Sequence, residues 1–209
     1  MAIEVEARFG VTDPAALDRL STMTRLGEAA LGPPGALDET DVYLDTVEGA
    51  LGAARWACRL RRRGDQVTVS LKGPPEAGTG GWLHLRPEVE GPGTEEPRPE
   101  RWPASEARDL LDRLRSGRPL EERLTLRQHR VERTVALSDF PVGVLSVDAV
   151  TVVRHGRDVG QFAVVELEVG GDAGTAVLVP LAEALAAIDG LEPEPRSKLE
   201  RAHELIGSP

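Results

Sequence analysis

Three Glu-x-Glu pairs, Glu4/Glu6, Glu88/Glu90 and Glu166/Glu168, stand out as groups able to do chemistry, together with Arg59, Arg61 and the nearby Lys72. Paired carboxylates supply hard oxygen ligands for Mg2+ or Mn2+. Arg and Lys hold phosphate oxygens, Arg as a planar fork and Lys as a compact point charge. Gathered in one place, the two sets describe a metal–polyphosphate site. Lys72 and Lys198 are the only lysines among 25 bases, which singles out both.

The elements that must position these groups are strands. In "IEVEAR" (3–8), Glu4, Glu6 and Arg8 alternate with Ile3, Val5 and Ala7, so charges take one face and small apolar residues the other. Arg59, Arg61 and Arg63 share a face, as do Thr68, Ser70 and Lys72. Arg86, Glu88 and Glu90 alternate with Leu85, Pro87 and Val89, and Glu166 and Glu168 with Val165, Leu167 and Val169. In an ordinary sandwich such charged faces are solvated. In a closed barrel with the charges inward, helices must instead cover an apolar outside.

The pattern predicts a helix over 12–26 with Asp13 as N-cap and Pro14 at its first position. A strand at 40–46 and a hairpin turning at Gly64-Asp65 follow. A Gly/Pro-rich loop at 73–81 leads into a strand at 82–91, and 91–103 is a polar connector. A helix over 104–117 ends at Gly117. Strands at 124–137, 143–156 and 159–170 precede two closing helices, 179–190 and 196–207. About eight strands at hairpin spacing, with helices between and after them, predict a mainly β (α+β) antiparallel barrel or sandwich.

A length of 209 residues suits one domain spanning 1–209. The net charge of −10 argues against a general nucleic-acid or membrane binder. No apolar run reaches the roughly 20 residues that span a bilayer. With no secretory pattern at the start and Cys58 the sole cysteine, a cytoplasmic location is expected. The loop at 73–81 lacks the Gly-Lys-Ser/Thr ending of a P-loop. His84, His129, His155 and His203 have no metal-ligand spacing and read as surface residues. No Ser or Cys lies in a nucleophile motif. The three tryptophans read as packing between helices and sheet.

The ordered set "EVEAR" (4–8), "DVYLDT" (41–46), "CRLRRRGD" (58–65), "VSLKGP" (69–74), "LRPEVEG" (85–91), "VVELEV" (164–169) and "RSKLERA" (196–202) resembles the CYTH domains, also called triphosphate tunnel metalloenzymes. The resemblance runs through nearly the whole chain. It implies an eight-stranded antiparallel tunnel that binds a small-molecule triphosphate with Mg2+ or Mn2+. It implies metal-side carboxylates at Glu4, Glu6, Glu166 and Glu168, with Asp148, Glu88 and Glu90 as further acids. Phosphate-side cations would be Arg8, Arg59, Arg61, Lys72, Arg86 and Lys198, and Glu4, Glu6 and Lys72 would carry the catalysis. The signature has Lys where this chain has Arg8. Arg127 and Arg130 lie on opposite faces of their strand unless a bulge brings both inward, and both are carried as candidates. The implied activity is metal-dependent triphosphate hydrolysis, with adenylate cyclisation or non-catalytic polyphosphate or nucleotide binding as alternatives.

Overall fold

The computed structural model describes residues 2–76, 81–170 and 174–207. In chain order, β1 (Ala2–Val11) leads through α1 (Ala15–Thr22) and two short strands, β2 (Arg25–Leu26) and β3 (Ala29–Leu31), into β4 (Gly35–Thr46). A one-turn α2 (Ala50–Ala53) precedes the hairpin β5 (Ala57–Arg63) and β6 (Gln66–Lys72), then β7 (Leu83–Pro92). After α3 (Glu106–Arg115) come β8 (Leu120–Leu137), β9 (Phe140–Arg154) and β10 (Arg157–Val169). The chain closes with α4 (Gly174–Ala186), β11 (Leu191–Pro193) and α5 (Lys198–Ile206).

Eight strands form the antiparallel barrel that the sequence implies, in the order β8-β4-β5-β6-β7-β1-β10-β9, with β9 pairing back onto β8. Register shifts at Tyr43/Leu44, Val135/Ala136 and Asp158/Gly160 mark the bulges that help long strands bend into closure. Gly143 permits the closest approach in the β9–β10 seam. A Cβ there would lie 2.2 Å from the Glu168 carbonyl oxygen.

The apolar faces point outward and are covered. On one side α4 places Leu178, Leu181 and Leu185 against Ala7, Phe9, Val165 and Leu167. On the other, Leu51, Trp102 and Leu111 cover Cys58, Leu60, Val69 and Leu71. Each fully buried Leu or Val side chain contributes about 1.5–3 kcal/mol. Trp56 and Trp82 pack against these two clusters, as the sequence reading expects. A third cluster lies on the inner face. Leu126, Val150 and Val164, in register with Asp41, Gln128 and Asp148, meet Leu199, Ala202 and Ile206 of α5, which stops one end of the barrel.

Asp13 Oδ1 accepts the Ala15 amide at 2.9 Å while Pro14 already has helical φ and ψ of −55° and −25°. Helix α3 turns left-handed at Ser116, one residue before the expected Gly117. The strand expected at 40–46 begins at Gly35 and that expected at 124 begins at Leu120, because cross-strand pairing carries them beyond their sequence pattern. The loop expected at 73–81 falls partly on 77–80, outside the described residues. Among the described residues, no helix is long and apolar enough to cross a membrane.

Candidate active site in the barrel lumen

Barrel register decides which charges meet. Directly opposite residues share a face, so the pairs Glu4↔Arg86, Glu6↔Glu168, Arg8↔Glu166, Lys72↔Glu88 and Asp41↔Arg61 all line the lumen. The lumen opens as a cavity of about 430 Å3. It narrows to about 70 Å3 between Glu4, Glu6, Arg8, Tyr43, Arg59 and Lys198.

Cations and carboxylates interlock along this wall. Arg86 Nε donates to Glu4 Oε2 at 2.7 Å, and Lys72 Nζ bonds the other Glu4 oxygen while lying 3.4 Å from Glu88. Arg61 holds Asp41 through two bonds of 2.8 Å, and Arg59 Nη1 reaches Asp41 at 3.4 Å. Arg130 grips Asp148 at 2.6 and 2.8 Å and Glu166 at 3.2 Å. From the start of α5, Lys198 Nζ reaches Asp148 at 2.6 Å and Glu166 at 2.7 Å. Its helix is set by a capping box between Ser197 and Glu200. Buried ion pairs roughly break even against apolar packing, so so many in one lumen are poorly explained by stability alone.

The carboxylates differ in which force prevails. Burial would raise Glu4, but Lys72 and Arg86 outweigh it and hold the carboxyl at about 2. Burial likewise opposes ionisation of Glu166, and Lys198, Arg8 and Arg130 overcome it, leaving its pKa well below the usual range. At Glu6 burial prevails over Arg8 and the pKa is raised. Glu168 meets water at the mouth yet is largely surrounded by protein. That desolvation, then the like charge of Glu4, pushes its carboxyl up to about 7.

The structure brings Glu4, Glu6, Arg8, Arg59, Arg61, Lys72, Arg86, Arg130, Glu166, Glu168 and Lys198 together around the narrow part. Glu88 and Glu90 line the wider mouth, Glu90 at its exposed rim. Arg127 is a correction. Register between β8 and β9 is unbroken from Thr125 to Val135, so Arg130 faces inward and Arg127 outward, where it pairs with Asp158. Asp148, carried as a further acid, is fully buried with Arg130 and Lys198 on its two oxygens, just as Lys72 and Arg86 take the two oxygens of Glu4. His84, expected at the surface, is buried, with Nε2 2.9 Å from the Glu194 carbonyl oxygen.

Sequence reading missed Glu39, Asp41, Tyr43, Gln128 and Ser146. Glu39, Asp41 and Tyr43 alternate in the way that revealed the other ladders, but a strand begun at residue 40 cuts that ladder short. Gln128 donates to Asp41 at 2.7 Å, and being uncharged it gave no signal.

A hard divalent cation needs oxygens with free lone pairs. Among the described residues no three acidic, His or Cys side chains are gathered at metal-ligand spacing. The donor chemistry nonetheless fits. Glu168 stands among Glu4, Glu6 and Glu88, and their like charge adds to the burial that chiefly raises its pKa, a repulsion that a cation would relieve.

The sequence profile of the CYTH domain matches residues 2–203. No curated protein matches the sequence. Among solved structures, a Hippeastrum protein named for adenylyl cyclase, but with a dominant triphosphatase activity, is 15% identical at a TM-score of 0.62. The match covers 96% of this chain and 95% of that one. A Bacillus halodurans protein named for adenylate cyclase is 20% identical at 0.60, covering 96% and 98%. The mimivirus capping enzyme triphosphatase is 10% identical at 0.53, covering 90% of each chain. At these identities the likeness concerns the fold.

Proposed function

The chain belongs to the CYTH domain family, and from that premise we propose that it is a divalent-metal-dependent triphosphatase that cleaves a terminal phosphoanhydride inside the barrel. The observation that carries this reading is convergence. Arg59 and Arg61 from β5, Lys72 from β6, Arg86 from β7, Arg130 from β8 and Lys198 from α5 all border one narrow cavity, interleaved with Glu4, Glu6 and Glu168. Such a field of cations suits a polyphosphate. Inorganic triphosphate is the favoured substrate, because Tyr43 is the one aromatic side chain lining either lumen cavity among the described residues.

Glu4, Glu6 and Glu168 would hold Mg2+ or Mn2+, which when bound neutralises charge on the reacting phosphoryl group. The chain's own residues do the rest. Arg59, Arg61, Lys72 and Arg86 hold and align the polyphosphate, giving up part of their present pairing with carboxylates. A lumen carboxylate orients the attacking water on the terminal phosphoryl group, in line with the departing diphosphate. No covalent nucleophile is required. Cys58, on the outer face and buried, has its thiol pushed up to about 12 by that burial.

A phosphate-release screen over inorganic triphosphate, thiamine triphosphate and ATP, with Mg2+ and Mn2+, tests this. Orthophosphate from inorganic triphosphate supports the reading. Pyrophosphate with a cyclic nucleotide from ATP would make the protein a cyclase, and binding without turnover would make it a binding module.

A further inference from the structure

Arg8 is only 1% exposed, and each of its guanidinium nitrogens already has a partner. Nε donates to Glu166 Oε1 at 3.1 Å, Nη2 bonds Glu6, and Nη1 donates to the Arg196 carbonyl oxygen at 2.8 Å. The third contact is the unusual one, because it leaves the charge ladder for the main chain just before α5. The same segment is fastened elsewhere. The Glu194 amide donates to the Arg8 carbonyl at 3.0 Å, and the Glu194 carbonyl accepts from His84 Nε2. Outside, the Glu194 carboxylate holds the Arg196 amide at 3.0 Å and the Arg196 guanidinium at 2.7 and 2.8 Å.

Two residues after Arg196, Lys198 turns back inward and takes Glu166 Oε2 at 2.7 Å. Arg8, the Arg196 carbonyl, Lys198 and Glu166 thus close a loop of contacts. We propose that Arg8 is a positioning residue whose guanidinium fastens the 194–198 segment to β1 and so sets where the Lys198 ammonium stands. A lysine at this place would keep the charge near Glu6 and Glu166. Its single compact head has a shorter total reach than the guanidinium fork and would not meet both carboxylates and the Arg196 carbonyl together. The consequence for substrate rests on the triphosphatase reading, whereas the fastening itself does not.

Hydrogen exchange on the ligand-free protein tests the fastening. Arg8→Lys is expected to speed exchange of the 196–206 amides about tenfold while β4 and β8 stay protected. Unchanged protection of 196–206 would overturn the proposal. Should Arg8→Lys fail to fold, Lys198→Met leaves the Arg8 fastening in place, so the Glu194 and Arg196 amides are expected to stay protected. Their rapid exchange would mean that Lys198 holds the segment and would overturn the proposal. A double-mutant cycle then tests the route. Arg8→Lys should raise KM for inorganic triphosphate about fivefold in the wild-type background, and less than twofold in Lys198→Met. Equal losses in both backgrounds would mean that Arg8 grips the polyphosphate itself. If the wild type does not turn over inorganic triphosphate, the functional reading fails and hydrogen exchange still decides the positioning role.

Discussion

Glu166 divides its carboxylate between cations from opposite ends of the chain, with Arg8 Nε 3.1 Å from Oε1 and Lys198 Nζ 2.7 Å from Oε2. The barrel interior is therefore finished only when the last helix docks onto β10 and the segment before it is tied to β1. Glu6, two positions from Arg8, is its counterpart: there burial prevails and the pKa rises, whereas at Glu166 the cations prevail.

That contrast has a consequence for stability. Glu166→Gln leaves the buried Arg8 and Lys198 short of a charge, and is expected to destabilise the protein by about 3 kcal/mol. Denaturant melts without metal check this, and a loss below about 1 kcal/mol would mean that the pairings contribute little.

Glu6→Gln, by the same reasoning, should leave metal-free melting within a few degrees of wild type. It should remove most of the melting rise that saturating Mg2+ or Mn2+ produces. Its neighbour Val5 points the other way, into the cluster under α4. Val5→Asp should cost several kcal/mol through a charge facing an apolar cover. Metal-induced melting shifts of the two variants separate a lumen wall from a solvated face.

Lys72→Ala should weaken inorganic triphosphate binding at least tenfold, a loss of only ~1.4 kcal/mol. Glu4 keeps Arg86 as a partner, so the fold should be almost unchanged. Steady-state kinetics and a thermal melt check both halves, and wild-type kinetics would remove Lys72 from the phosphate track.

How far these roles were legible depended on alternation. Where a charged ladder lay inside a clear strand pattern, as in 3–8, 59–63 and 164–169, sequence alone gave the face that the barrel turns inward. Arg127 and Arg130 differ by three positions, so alternation put them on opposite faces but left open which face was inside. Only pairing with β9 decides that. The occupancy of Asp148 by Arg130 and Lys198, and the reach of Arg8 to Arg196, join residues far apart in the chain and leave no local signature. The strands β2, β3 and β11 are too short to carry a period.

His84 gives a pH dependence. Burial first, then the Arg8 charge, lowers its imidazole to about 4 from an ordinary 6.5. The unfolded chain binds this proton more readily than the folded one, so stability present above pH 6.5 is lost as pH falls towards 4. The full effect is about 3 kcal/mol. Glu168, with its raised pKa, works with the opposite sign across part of this window, so the comparison must be with a variant. His84→Gln keeps a donor for the Glu194 carbonyl but does not titrate. The stability of wild type relative to this variant should fall between pH 6.5 and 4, and a pH-independent difference would contradict the assignment.

A crystal structure with inorganic triphosphate and Mn2+ tests most directly whether polyphosphate and metal share the barrel interior. The expected result is a polyphosphate bordered by Arg59, Arg61, Lys72 and Arg86, with a manganese anomalous peak beside Glu4, Glu6 and Glu168. Polyphosphate and manganese bound only on the outer surface, with the lumen ion pairs still closed on one another, would contradict it.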